Sequence, residues 1–227
     1  MNQAHSRERA ALPLFLTDRN RYPWGVLMFA TGAVLYLATN HFHLTAPHRL
    51  PLLWMDRAVP FIPETVWIYN SEWIFLPLAY VRCRDLLRLN QFFYSYLALQ
   101  LTCMVVFVAW PTIYPRESHP LVPAAMGGWT YHAFNSLRQM DMPTNCCPSL
   151  HVAGLYLAIL IYRKGPRRDF LFFLIWGTLI AISTLTTKQH YVIDVVAGFA
   201  VAGIIHRIFR HHVVYRAPRT PASTWGR

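Results

Sequence analysis

Two histidines carry the chemistry this chain advertises. His190 stands four residues before Asp194, and on a helix that spacing puts both side chains on one face, with β-carbons about 6 Å apart. Asp194 can then take a hydrogen bond from one ring nitrogen and leave the other free as a nucleophile or base. His151 follows Pro148-Ser149-Leu150. Proline suits the first turn of a helix because its missing N–H would be unpaired there anyway. The free amides of such a start, with the Ser149 hydroxyl, form a cradle for an anion. A phosphate held there lies beside His151, which could give a proton to a departing oxygen. Arg116 and Lys188 offer positive charge for phosphate oxygens. Glu72 is a carboxylate within an apolar block, placed to pair with a cation, to shape a pocket or to contact a substrate headgroup. Asp141 and Asn145, just before Cys146-Cys147, are candidates for a polar headgroup or for holding their loop. No Cys/His or HExxH-like spacing supports a metal ligand set, and the residues call for no cofactor.

These residues need a scaffold, and the composition says which kind. Of 227 residues, 55% are hydrophobic and only 14% charged, against about 25% charged in an ordinary soluble domain. The apolar residues come in blocks separated by basic or proline-bearing segments, the pattern of repeated bilayer crossing. Six blocks stand out, at 24–40, 61–81, 91–114, 148–162, 170–187 and 190–209. An all-α, polytopic bundle of six transmembrane helices is expected. The membrane domain spans 24–209, between an N-terminal tail, 1–23, and a basic tail, 210–227. A loop of about thirty residues, 115–147, joins the third and fourth blocks.

The charge distribution orients this bundle. The net charge of +11 would suggest nucleic acid in a soluble protein, but no nucleic-acid motif accompanies it. Sixteen of the 21 Lys and Arg residues fall in the two tails and in the turns at Arg82 and Arg163. Arg49, Arg57, Arg116, Arg138 and Lys188 fall on the other side. By the positive-inside rule both termini are cytoplasmic, which agrees with an even number of spans. The end of block three, the start of block four and the Ser183–Asp194 segment then share the opposite face. Intramembrane ionisable residues gathered in this way usually mark a function. The redox state of Cys146 and Cys147 is not legible, and nothing decides between a monomer and a homo-oligomer.

Pro148-Ser149-Leu150-His151, followed after a helical hairpin by Ser183 and His190-Tyr191-Val192-Ile193-Asp194, resembles the type-2 phosphatidic acid phosphatase superfamily. The leucine between Ser149 and His151 is most similar to the branch containing inositol phosphorylceramide synthases. The resemblance covers roughly residues 60–205. It implies metal-independent catalysis in which His190 attacks phosphorus to form a phosphohistidine, Asp194 supports it, His151 protonates the leaving group and Ser149 helps hold the phosphate. It also implies a lipid phosphate substrate drawn from the bilayer. The family's third motif has Arg directly after its Ser where this chain has Thr184, and its first-motif Lys is replaced by Ala109. Lys188 is the residue expected to compensate. Two activities share the first half-reaction: hydrolysis of a lipid phosphate or diphosphate, and transfer of a phospho-headgroup to a lipid alcohol, as in inositol phosphorylceramide or sphingomyelin synthases. Hydrolysis is the preferred expectation.

Overall fold

The computed structural model describes residues 9–216; residues 1–8 and 217–227 of the expected tails lie outside the described part. In chain order the elements are β1 (Ala10–Pro13), α1 (Arg21–Thr39), β2 (His48–Arg49), α2 (Trp54–Ala58), α3 (Val66–Asn70), α4 (Glu72–Arg82), α5 (Leu86–Ala109), β3 (Thr112–Ile113), α6 (Gly128–Met140), α7 (Leu150–Tyr162), α8 (Arg167–Thr186), α9 (Val192–His211) and β4 (Val213–Arg216). Four of them, α1, α5, α8 and α9, are long and apolar enough to cross a bilayer. Leucine, valine, isoleucine and phenylalanine cover their outer faces, so the chain is built as an integral membrane protein.

The other two expected spans are not continuous helices of crossing length. The second block breaks at Ser71, whose hydroxyl and amide both bond the carbonyl of Ile68, giving α3 and α4 in place of one rod. Pro77 lies inside α4, which removes one more backbone bond. The fourth block gives α7, only 13 residues and so about 20 Å long. The third helix starts five residues earlier than hydropathy suggests, because Asp85 caps it by accepting from the Arg88 amide at 3.1 Å. It stops at Ala109, before Trp110-Pro111. The loop between the third and fourth blocks contains α6. That helix carries Phe134 inward and Trp129 outward, an amphipathic pattern too polar to register as a span.

α7 sits at the centre, against α5, α8 and α9. Its crossing with α9 is close: a Cβ on Gly198 would fall 2.7 Å from the Ser149 carbonyl oxygen. That contact fixes the start of α7 against the start of α9, and these two starts carry the histidines. At the opposite end of the bundle β1 pairs in parallel with β4, Ala10 with Val213 through Pro13 with Arg216. The two described chain ends therefore meet at the end that also holds Arg82, Arg88 and Arg163.

Candidate active site

The site is assembled where α7 and α9 begin. α9 starts at Val192, so His190 precedes the helix, and the expected pairing of His190 and Asp194 across one helical face is replaced by a cap. Asp194 Oδ2 accepts from the Tyr191 amide at 2.9 Å and from His190 Nδ1 at 3.3 Å. The Cys146 carbonyl accepts from the same nitrogen at 3.1 Å. Both partners are acceptors, which assigns the proton to Nδ1 and leaves Nε2 with a free lone pair. Asp194 is completely buried and His190 nearly so. α7 is capped by Ser149, whose hydroxyl accepts from the Val152 amide at 3.4 Å, and His151 is the second residue of that helix. The His151 and His190 rings are neighbours in an edge-on arrangement, with centroids 5.9 Å apart and planes inclined by 62°.

His151 has its own carboxylate. Its Nε2 lies 2.9 Å from Oε2 of Glu72, the first residue of α4. The site thus contains two imidazole–carboxylate pairs placed opposite each other, with the Tyr69 ring 4.7 Å from His151 on one side. Glu72, a headgroup candidate on sequence grounds, is placed on His151. The break at Ser71 is what puts it there, as the start of a helix and not the middle of one.

Around this core the remaining candidates divide. Arg116 is buried and gives its guanidinium to Asp141, to the backbone carbonyl and, at 3.4 Å, to Oδ2. Asp141 also accepts from the Tyr36 hydroxyl at 2.9 Å and from Asn40 at 3.3 Å. Asn145 donates to the Tyr36 carbonyl at 3.0 Å and to Thr39 at 2.9 Å. Asp141 and Asn145 therefore fasten the loop before α7 to the end of α1. Lys188 is placed elsewhere. Its ammonium donates to the Asp56 carbonyl at 2.8 Å and the Val59 carbonyl at 2.5 Å, while Asp56 accepts from the Val192 amide at 2.7 Å. Lys188 has φ 55°, the left-handed region where glycine commonly ends a helix; glycine would relax the backbone there but could not reach α2. Lys188→Met is expected to cost about 1–3 kcal/mol, seen as a lowered unfolding midpoint in detergent micelles. An unchanged midpoint would contradict this anchoring.

One residue went unmarked in the sequence. Arg138 on α6 stacks its guanidinium over Phe134 at 5.0 Å, and its Nε and Nη2 are buried with no partner among the described residues. Arg116 Nε and the Tyr69 hydroxyl are in the same condition. Burial and the nearby Arg116 push the Arg138 guanidinium down to about 10. Buried donors without acceptors are costly, and those of Arg116 and Arg138 belong to guanidinium groups. The signal that could have found Arg138 is its i,i+4 spacing from Phe134 in an amphipathic stretch.

Cys146, His190 and Asp194 bring ligand-type atoms within 4.8 Å of one another. A metal would need the Cys146 thiolate, and burial and the Asp194 carboxylate push that thiol well above its ordinary range. Asp194 Oδ2 is moreover committed to Tyr191 and His190. All four cysteines are free and buried.

The model of the PAP2 superfamily matches residues 25–208. The chain belongs to that superfamily, whose members are phosphatases or phosphotransferases. No curated protein and no solved structure matches it.

Proposed function

We propose that this chain is an integral membrane lipid-phosphate phosphatase that hydrolyses a phosphate ester or diphosphate through a phosphohistidine on His190. The observation that carries the reading is the pair of neighbouring imidazoles, each held by its own carboxylate. Attack runs from His190 Nε2: its lone pair forms the N–P bond as the bond from phosphorus to the leaving oxygen breaks, that oxygen belonging to the lipid alcohol in an ester and to the inner phosphate in a diphosphate. That oxygen takes a proton from His151, whose ring is held by Glu72. A water then gives a proton back to His151 and attacks phosphorus, the N–P bond breaks, and inorganic phosphate leaves with His190 restored. Asp194 supports the positive charge that develops on His190. Arg116 and Arg138 supply donors for the equatorial phosphate oxygens, with Ser149 and the start of α7 behind them. None of these steps draws on a metal.

The membrane arrangement belongs to the same reading. Six crossings are made by α1, the broken pair α3–α4, α5, α7, α8 and α9, within one domain over 24–209. Both termini are cytoplasmic and the histidines lie toward the other face. At about 20 Å, α7 is shorter than the roughly 30 Å hydrocarbon core, so His151 sits below that surface, within reach of a lipid headgroup. A cysteine placed at Ser118 is expected to react only with impermeant reagent added outside; labelling from the cytoplasmic side would overturn this orientation.

The activity is tested with purified protein in lipid–detergent micelles offered labelled phosphatidic acid, a prenyl diphosphate and phosphatidylinositol, each with and without a lipid alcohol. Release of free phosphate from the first two is expected. A new phospholipid formed only with the alcohol would make the protein a phosphotransferase, the alternative that Leu150 favours through the inositol phosphorylceramide synthase branch. Arg138→Gln is expected to weaken inhibition by inorganic phosphate roughly 10–100-fold, with Arg138→Lys in between, because the lost contacts are charge-assisted. Unaltered inhibition would remove Arg138 from the phosphate site.

A further inference from the structure

A groove with a cavity volume of about 130 Å³ runs from the outer surface of the bundle to His151, between α1, α4 and α5. Its walls are Phe29, Ala33, Leu76, Pro77 and Leu150, and it ends at Glu72 and His151. Trp73 lines it and faces outward, on helices whose other outward side chains include Val34 and Leu37 on α1 and Ile74 on α4. These belong to the lipid-facing surface, so the groove opens sideways into hydrocarbon and not into water. α1 leaves the opening because it leans on α5: a Cβ on Gly32 would fall 2.8 Å from Gln100 Nε2. That contact brings Gln100 to the groove floor.

Gln100 is the anomaly in this lining. It is 6% exposed, it donates to the Tyr96 hydroxyl at 2.9 Å, and its Oε1 has no partner among the described residues. An amide oxygen left without a donor at membrane depth is costly. A chain of pure hydrocarbon would leave it so.

Resting on the phosphatase reading above, we infer that this groove seats the hydrocarbon chain of the substrate, and that Gln100 accepts a hydrogen bond from a hydroxyl or amide N–H beside the phosphate-bearing carbon. The occupant is thus a long-chain lipid phosphate with a free donor next to its headgroup, drawn laterally from the bilayer with its phosphate delivered between His151 and His190. Ala33 controls the width of the groove and Gln100 reads the polar group.

The test uses full-length protein in micelles and three phosphate monoesters: a mono-oleoyl glycerol phosphate with a free secondary hydroxyl, its O-methyl ether, and a short water-soluble phosphate. The ether keeps an acceptor and loses the donor. Wild type is expected to prefer the hydroxyl lipid over the ether about tenfold in kcat/KM, and Gln100→Leu to erase that preference. Ala33→Phe is expected to lower the ratio of lipid to soluble turnover at least about tenfold, since it fills the channel without touching the histidines. Equal handling of hydroxyl and ether by wild type overturns the role of Gln100, and an unchanged ratio in Ala33→Phe overturns the groove. A diazirine-bearing chain gives a readout independent of turnover. Crosslinks at Phe29 or Leu76 that Ala33→Phe suppresses support the groove even if no phosphate is released, in which case the phosphatase reading alone fails. Crosslinks confined to the outer surface sink the groove while leaving hydrolysis intact.

Discussion

His190→Ala is expected to remove turnover on the best lipid phosphate by on the order of 10⁴-fold or more, because the residue forms the covalent bond and nothing beside it can take its place. The neighbouring candidates are otherwise engaged. His151 is bonded to Glu72, Lys188 to two carbonyls of the α2 segment, and the Cys146 thiol is kept protonated by burial. Wild-type protein quenched during turnover of a phosphorus-labelled substrate should carry label that is lost in acid and survives in base, mapping to the peptide containing His190. The Nδ1 proton shared between Asp194 and the Cys146 carbonyl directs the bond to Nε2. A variant that keeps wild-type turnover, or a labelled peptide containing only His151, would reverse the assignment of the two rings. Micelle-bound protein that still unfolds at the wild-type temperature excludes loss of fold as the explanation.

How much of this could be read beforehand differs from element to element. The long apolar helices were legible because a run of hydrophobic residues records bilayer crossing locally, and α1, α8 and α9 lie within a few residues of the expected blocks. The pairing of His190 with Asp194 was legible for a similar reason, four residues being a distance that local geometry governs. Its form was not: Asp194 caps Tyr191, so the helix begins after His190, and a boundary set by one side-chain hydrogen bond leaves no mark in hydropathy. α6 stayed hidden because its 13 residues mix Trp129, Phe134 and Leu137 with polar neighbours, which reads as loop until a face is drawn.

The long-range contacts could not be read at all. Lys188 had the right type and place for a phosphate clamp, and the deciding fact was a pair of backbone carbonyls 129 and 132 residues away. Carbonyls carry no sequence signature. Asp141 and Asn145 resemble headgroup ligands for the same reason, until the end of α1 arrives to use them. Arg138 shows the converse: it read as one of five basic residues on its side of the membrane, and what sets it apart is that its buried Nε and Nη2 have no partner among the described residues.

Glu72 gives the second large effect, since its two readings predict different kinetics. As a headgroup contact, its loss would act on binding, raising KM and sparing kcat. Held 2.9 Å from His151 Nε2, it orients the imidazole, and it supports the imidazolium present before the leaving oxygen is protonated and again after water is deprotonated. Those demands fall on the two chemical steps and not on binding, so Glu72→Gln is expected to lower kcat by about 10²–10³-fold with KM within about threefold. Glutamine keeps the shape and one acceptor oxygen, so the ring can stay in place while the charge is lost; Glu72→Ala should lose position as well and fall further. Burst kinetics separate the steps. If His151 acts in both, Glu72→Gln slows formation and breakdown of the phosphohistidine together, whereas slowing of breakdown alone would confine the pair to activation of water. A variant with raised KM and wild-type kcat would return Glu72 to the headgroup and leave His151 without a carboxylate partner in catalysis.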